Sequence, residues 1–148
     1  MLTITNSYPG FQLLKPACEK ILGIVAAGEA AAINQVSVIV TNDIVLNRLK
    51  KRFFQEDVLT DTISFRYQEP GSPIDGEVYL SLDRIQENAQ KYNNNFKDEL
   101  VLVLIHSLLH LIGYDDQTPT QKKIMTRVQQ SYQNKISIKY LFKITQTR

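Results

Sequence analysis

Leu100-Val101-Leu102-Val103-Leu104-Ile105-His106-Ser107-Leu108-Leu109-His110-Leu111-Ile112-Gly113-Tyr114-Asp115-Asp116 is the stretch from which the rest of the chain can be read. From 100 to 112 only the two histidines and Ser107 are not apolar, and no proline or glycine interrupts. Apolar residues all round a helical circumference predict a helix buried inside the domain. The run is too short to span a bilayer. Residues i and i+4 share one helical face, so His106 and His110, the chain's two histidines, present imidazoles one turn apart.

Gly113 stands where such a helix ends, because glycine takes a left-handed backbone without strain and turns the chain. That turn carries Asp116 back towards the histidine face. The pattern H-x-x-x-H-x-x-G-x-x-D therefore offers two imidazoles and one carboxylate to a single ion. Three protein ligands with one open position suit Zn²⁺ or a similar divalent metal. The negative end of the helix dipole adds to the attraction. Two core histidines satisfied by hydrogen bonds are the alternative; the glycine and the carboxylate at this spacing favour metal.

The run His106 to Asp116 resembles the H-G-x-L-H-L-x-G-Y-D-H signature of the YbeY family, the bacterial metal-dependent endoribonucleases of ribosomal RNA maturation. Thr60-Asp61-Thr62-Ile63-Ser64-Phe65 is similar to the family's T-D-V-L-S-F strand, and Gly76-Glu77-Val78-Tyr79-Leu80-Ser81 to its G-D-I-x-I-S strand. The resemblance spans roughly residues 35 to 133. It implies His106, His110 and the residue at 116 as metal ligands. The family has histidine at that third position and this chain has Asp116. Aspartate is a legitimate zinc ligand, but its charge makes the ion less Lewis-acidic and suits a harder one. A second departure is Ser107 for glycine. The family's L-N-x-x-Y-R begins here at Leu46-Asn47, but the spacing to the next strand is about three residues longer than the family leads one to expect. Its substrate-facing arginine maps to Lys51 or Arg52; the bidentate fork of arginine favours Arg52. A solvated helix end whose cations complement the dipole is the competing account.

Outward from these motifs, 148 residues make one domain with a substantial core. The net charge of +2 gives no global field to mark a nucleic-acid binder, so any RNA contact must be local. The single cysteine, Cys18, excludes an internal disulfide framework and fits a reducing cytoplasm; residues 1–6 lack the features of a signal peptide. Alternation predicts strands at 2–5 and 36–40, and the two family-like segments supply two more. Helices are expected from Lys15 to Gly28, from Ile44 to Phe54 after a cap at 41–43, from Asp83 to about Tyr92, and after Thr118-Pro119. In the last of these Ile124, Val128 and Tyr132 are expected to form the buried face, with Met125 alongside. Residues 68–76, dense in Pro and Gly, read as a loop. Glu77 reads as an edge-strand residue rather than a catalytic one. The sum is an α+β domain, a mixed sheet of about four strands with helices packed on it and the metal helix at its core. Residues 1–133 form that domain. The basic tail 134–148 reads equally as a strand, a continued helix or an arm.

A three-ligand metal polarises a phosphoryl or carbonyl oxygen and acidifies water. Zinc peptidases of H-E-x-x-H type place a glutamate base directly after the first histidine. Ser107 occupies that position and is a poor base. The favoured reading is a single-strand-specific endoribonuclease with one Zn²⁺, Asp115 or water itself handling the proton and Arg52 with neighbouring lysines the phosphate, acting on ribosomal RNA with the ribosome or small-subunit proteins as partners and no membrane. Two alternatives stay open: a metallohydrolase of another substrate, such as a peptidase, and a non-enzymatic ribosome-assembly factor whose metal site has degenerated through Asp116.

Overall fold

A computed structural model describes residues 1–67 and 72–145. In chain order the elements are β1 (Leu2–Asn6), β2 (Phe11–Leu13), α1 (Lys15–Gly28), β3 (Ile33–Thr41), α2 (Asp43–Phe54), β4 (Thr62–Arg66), β5 (Ile74–Ser81), α3 (Leu82–Lys91), α4 (Phe96–Ile112), α5 (Pro119–Lys135) and β6 (Phe142–Ile144). The main sheet has the order β1-β3-β5-β4. β1, β3 and β5 run parallel, and β4 is antiparallel to β5. This is the expected α+β domain with a four-stranded mixed sheet.

Valines and leucines on one face of β3 and β5, including Val36, Val38, Val40, Val78 and Leu80, join the apolar residues of α4 in one core. α4 touches α1, α3, α5, β4 and β5, which is why its sequence is apolar all round. Its start is set by Asn95, whose side chain accepts a bond from the Asp98 amide, with Asp98 and Glu99 in the first turn. Its end is Gly113, at φ +130°.

The edge strand β4 is laid along α4 by polar contacts at the strand period of two. The Thr62 and Ser107 hydroxyls are 2.7 Å apart, the Ser64 hydroxyl donates to the Ser107 carbonyl at 3.1 Å, and Arg66 Nη1 donates to the Leu111 carbonyl at 3.1 Å. Beside them Gly76 allows the end of α4 to approach the sheet: a Cβ there would lie 2.8 Å from both Leu111 and the Phe65 carbonyl oxygen.

Several expectations are corrected. β5 begins at Ile74, inside the segment read as loop; residues 68–71 of that segment lie outside the described residues. Glu77 is on an interior strand, paired on both sides, and accepts bonds from the Tyr67 and Tyr79 hydroxyls. In α5 Tyr132 and Met125 are buried and Val128 packs against the core as expected, and Gln129 turns inward to His106, but Ile124 is exposed. The tail does not continue α5 beyond Lys135 as a helix. It buries Leu141 and pairs β6 with β2, a ladder absent from the sequence reading; residues 146–148 lie outside the described residues.

Candidate metal centre

His106 and His110 project from the last turns of α4, and the Gly113 turn returns Asp116 to the same face. The two Nε2 atoms are 3.0 Å apart. Asp116 Oδ2 is 3.5 Å from His106 Nε2 and 3.4 Å from His110 Nε2. All three side chains are partly exposed and form a group that could hold a metal ion.

Each imidazole is tied through its other nitrogen. His110 Nδ1 lies 2.9 Å from the Tyr114 carbonyl, which can only accept, so this nitrogen carries the proton. His106 Nδ1 meets the Gln129 side-chain oxygen in the same way, from α5. With both protons on Nδ1, both Nε2 lone pairs face the carboxylate oxygen. Three electron-pair donors converge with no proton among them, an arrangement that repels unless a cation or an extra proton joins it. A tetrahedral ion with bonds of about 2.0–2.1 Å spaces its ligand atoms about 3.3 Å apart, close to the separations found. The donor set and its outer contacts therefore fit a divalent ion.

The triad opens on a cleft of about 510 Å³ that runs along the free edge of β4. Asp115, exposed, lines it. Asp61, of the Thr60–Phe65 motif, lines it as well, a position that the strand pattern alone does not reveal. Burial raises its carboxyl above the usual range; the neighbouring His106 and hydrogen bonds from the main chain at 61 and 62 and from Asn88 act the other way. Arg52 is exposed and lies over the Phe53 ring at 5.3 Å, and it is not among the residues lining the cleft. The cation that lines it is Lys50. Helical periodicity carries the signal: Leu46, Lys50 and Phe54 share one stripe of α2, with Leu46 buried and Phe54 at the cleft, whereas Arg52 points about 200° away from Lys50. Ser107 does not face the metal ligands at all. It is fully buried, bonded to Thr62 and to the Val103 carbonyl.

A family model described as Endoribonuclease YbeY matches residues 9–137. The chain belongs to the YbeY family. Among relatives named Endoribonuclease YbeY, that of Chloroherpeton thalassium is 37% identical over 121 residues, covering 82% of this chain and 85% of the relative. That of Chlorobaculum parvum is 38% identical over 124 residues and 84% of each chain. That of Chlorobium limicola is 47% identical over 93 residues, 63% of this chain and 64% of its own. The solution structure of TM1509 from Thermotoga maritima is similar to this one with a TM-score of 0.62 and 28% identity, covering 90% of this chain and 87% of that one. No helix among the described residues is long and apolar enough to cross a membrane.

Proposed function

We propose that this chain is a metal-dependent endoribonuclease that cuts single-stranded segments of ribosomal RNA in the cytoplasm, with zinc as its ion. The observation that carries the reading is the convergence of His106 Nε2, His110 Nε2 and Asp116 Oδ2 at 3.0–3.5 Å in a chain of the YbeY family. Two imidazoles and one carboxylate are a donor set that zinc accepts with a position to spare.

A divalent ion held there supplies Lewis acidity towards a phosphodiester and acidifies water. The protein's own groups do the rest. Gln129 and the Tyr114 carbonyl hold the imidazoles in the tautomer that leaves Nε2 free. Lys50 meets the phosphate charge at the cleft wall; Arg52, on another side of α2, is available only to a strand that runs on past the cleft. The proton released by the attacking group goes to one of the non-ligand carboxylates lining the cleft, Asp115 or Asp61. The ribosome and its small-subunit proteins are the partners such a substrate brings. The peptidase alternative is not favoured, because the position of the peptidase base is held by Ser107, buried and turned towards β4.

The test is cleavage of one RNA sequence presented single-stranded and as a duplex. Zinc-loaded protein is expected to cut the single strand, to stop on chelation, to recover on adding zinc, and to be inactive as His110→Ala. Fully loaded protein that cuts neither form would sink the reading.

A further inference from the structure

We infer that the aromatic rim at the end of α2, Phe53 and Phe54 with Lys50 and Arg52 resting over their rings, is a stacking platform for an unpaired base of the RNA beside the metal cleft. This rests on the endoribonuclease reading and adds to it how the substrate is gripped.

The rim is apolar where a helix end at the surface is normally polar. Phe53 is 52% exposed and Phe54 40%, and Val58 and Leu59, just beyond the helix end in the chain, are 43% and 54% exposed. A contiguous exposed patch of this kind marks a contact site more often than a structural need. The rings are held rigid from behind. Phe65 on β4 packs edge-to-face on Phe53, at 5.5 Å between centroids, and stacks on Phe54 at 6.0 Å. Phe65 is backed in turn by Tyr79 on β5. The chain leaves the helix immediately after Phe54 through Gln55 at φ +54°, a left-handed turn at a residue that is not glycine, so the two rings stand at the helix end, with Phe54 on the cleft.

Charge decides what the rim is for. Lys50 Nζ lies 4.6 Å from the centre of the Phe54 ring, and the Arg52 guanidinium 5.3 Å from that of Phe53. Neither cation has a carboxylate partner among the described residues, whereas their neighbour Lys51 pairs with Asp57 at 3.7 Å. Cations parked on aromatic faces are free to move to a phosphate and leave the ring to a base. Exposed rings with unpaired cations beside them are the means by which proteins take up single strands, in which bases are free to stack, and not duplexes, in which they are already stacked. Phe54 and Lys50 both line the metal cleft, so the platform and the ligand triad share one continuous surface. A base on the platform would lie close to the phosphodiester presented to the triad.

The test uses the full zinc-loaded chain and a single-stranded oligoribonucleotide, with KM and kcat measured for wild type, Phe54→Ala, Phe54→Leu and Phe54→Trp. Phe54→Leu keeps apolar packing on Phe65 without the ring, which guards against a variant that merely folds poorly. The expected result is a KM raised about five- to tenfold in the alanine and leucine variants, a smaller change in kcat, and recovery in the tryptophan variant. Single abasic sites placed in turn around the cleavage position should include one that weakens wild type as much as Phe54→Leu does, and that costs the variant nothing further. A wild-type KM in the leucine variant, with cleavage intact, overturns the platform alone and leaves the rim to a protein partner. A loss that no abasic site reproduces overturns it as well, assigning Phe54 to packing. If wild type cleaves no RNA, the endoribonuclease reading falls first and the platform with it.

Discussion

His110 donates its Nδ1–H to the Tyr114 carbonyl at 2.9 Å, and the Tyr114 hydroxyl donates to Glu29, at the end of α1, at 2.6 Å. Tyr132 of α5 donates to the other oxygen of Glu29. Tyr114 therefore links His110, the loop that carries Asp116 and the end of α1, and Glu29 ties these to α5. The position of Asp116 depends on where Tyr114 is held.

Tyr114→Phe keeps the carbonyl on His110 and removes the bond to Glu29. A hydrogen bond to a charged acceptor, partly exposed, is worth about 1–2 kcal/mol. The variant should melt lower by that amount and bind zinc more weakly, by up to about tenfold. Chemical denaturation and a chelator competition measure the two effects. Unchanged zinc affinity would mean that the loop holds Asp116 without Glu29.

The same contact predicts an alkaline weakness. The bond to Glu29, followed by burial, pushes the Tyr114 hydroxyl up to about 12, and Tyr132 is raised by burial and by the same carboxylate. A folded-state pKa above the unfolded value of about 10 contributes stability that is full below pH 10. That stability is lost as pH rises through 12. Stability measured from pH 8 to 12 should fall across this window in wild type and less steeply in Tyr114→Phe. Equal slopes would contradict the assignment.

Asp116 is the family's histidine replaced, and substitution tests whether it ligates. Loss of an outer contact weakens metal binding about 10–100-fold, so Asp116→Ala, which removes a direct ligand, should weaken zinc binding by more than about a hundredfold. Asp116→His should bind zinc at least as tightly as wild type. Wild-type affinity in the alanine variant would remove Asp116 from the ligand set.

Gly76→Ala tests how the metal helix is seated. The added methyl meets the Phe65 carbonyl, which cannot move without disturbing the β4–β5 ladder. Overpacking of this kind costs about 1–3 kcal/mol, read as a lower midpoint in urea. No change would show that α4 can draw away from the sheet freely.

What was legible in the sequence follows from local physics. The bounds of α1, the Thr118 cap and the metal helix came from periodicity and capping, which act within a few residues. The convergence of His106, His110 and Asp116 was legible because i, i+4 spacing and a glycine turn fix their direction. What was missed depends on distant partners. β2 and β6 are three residues each and pair with partners more than a hundred residues away in the chain, which no local pattern shows. On α5 the inward placing of Val128, Tyr132 and the neighbouring Met125 was legible, but Ile124 is exposed, because the inward face takes in Gln129, a polar side chain bonded to His106. A search for apolar spacing takes the neighbouring row through Ile124. Among the cations of α2, the choice of arginine for its phosphate chemistry passed over Lys50, although the stripe through buried Leu46 points to it.

The central claim is that His106, His110 and Asp116 hold one divalent ion. The most direct measurement is elemental analysis of chelator-stripped protein after reloading with zinc and removal of excess, beside His106→Ala. About one zinc per wild-type chain and none in the variant is the predicted result. No zinc in the wild type would contradict the claim and return the chain to a ribosome-assembly role without a working metal site.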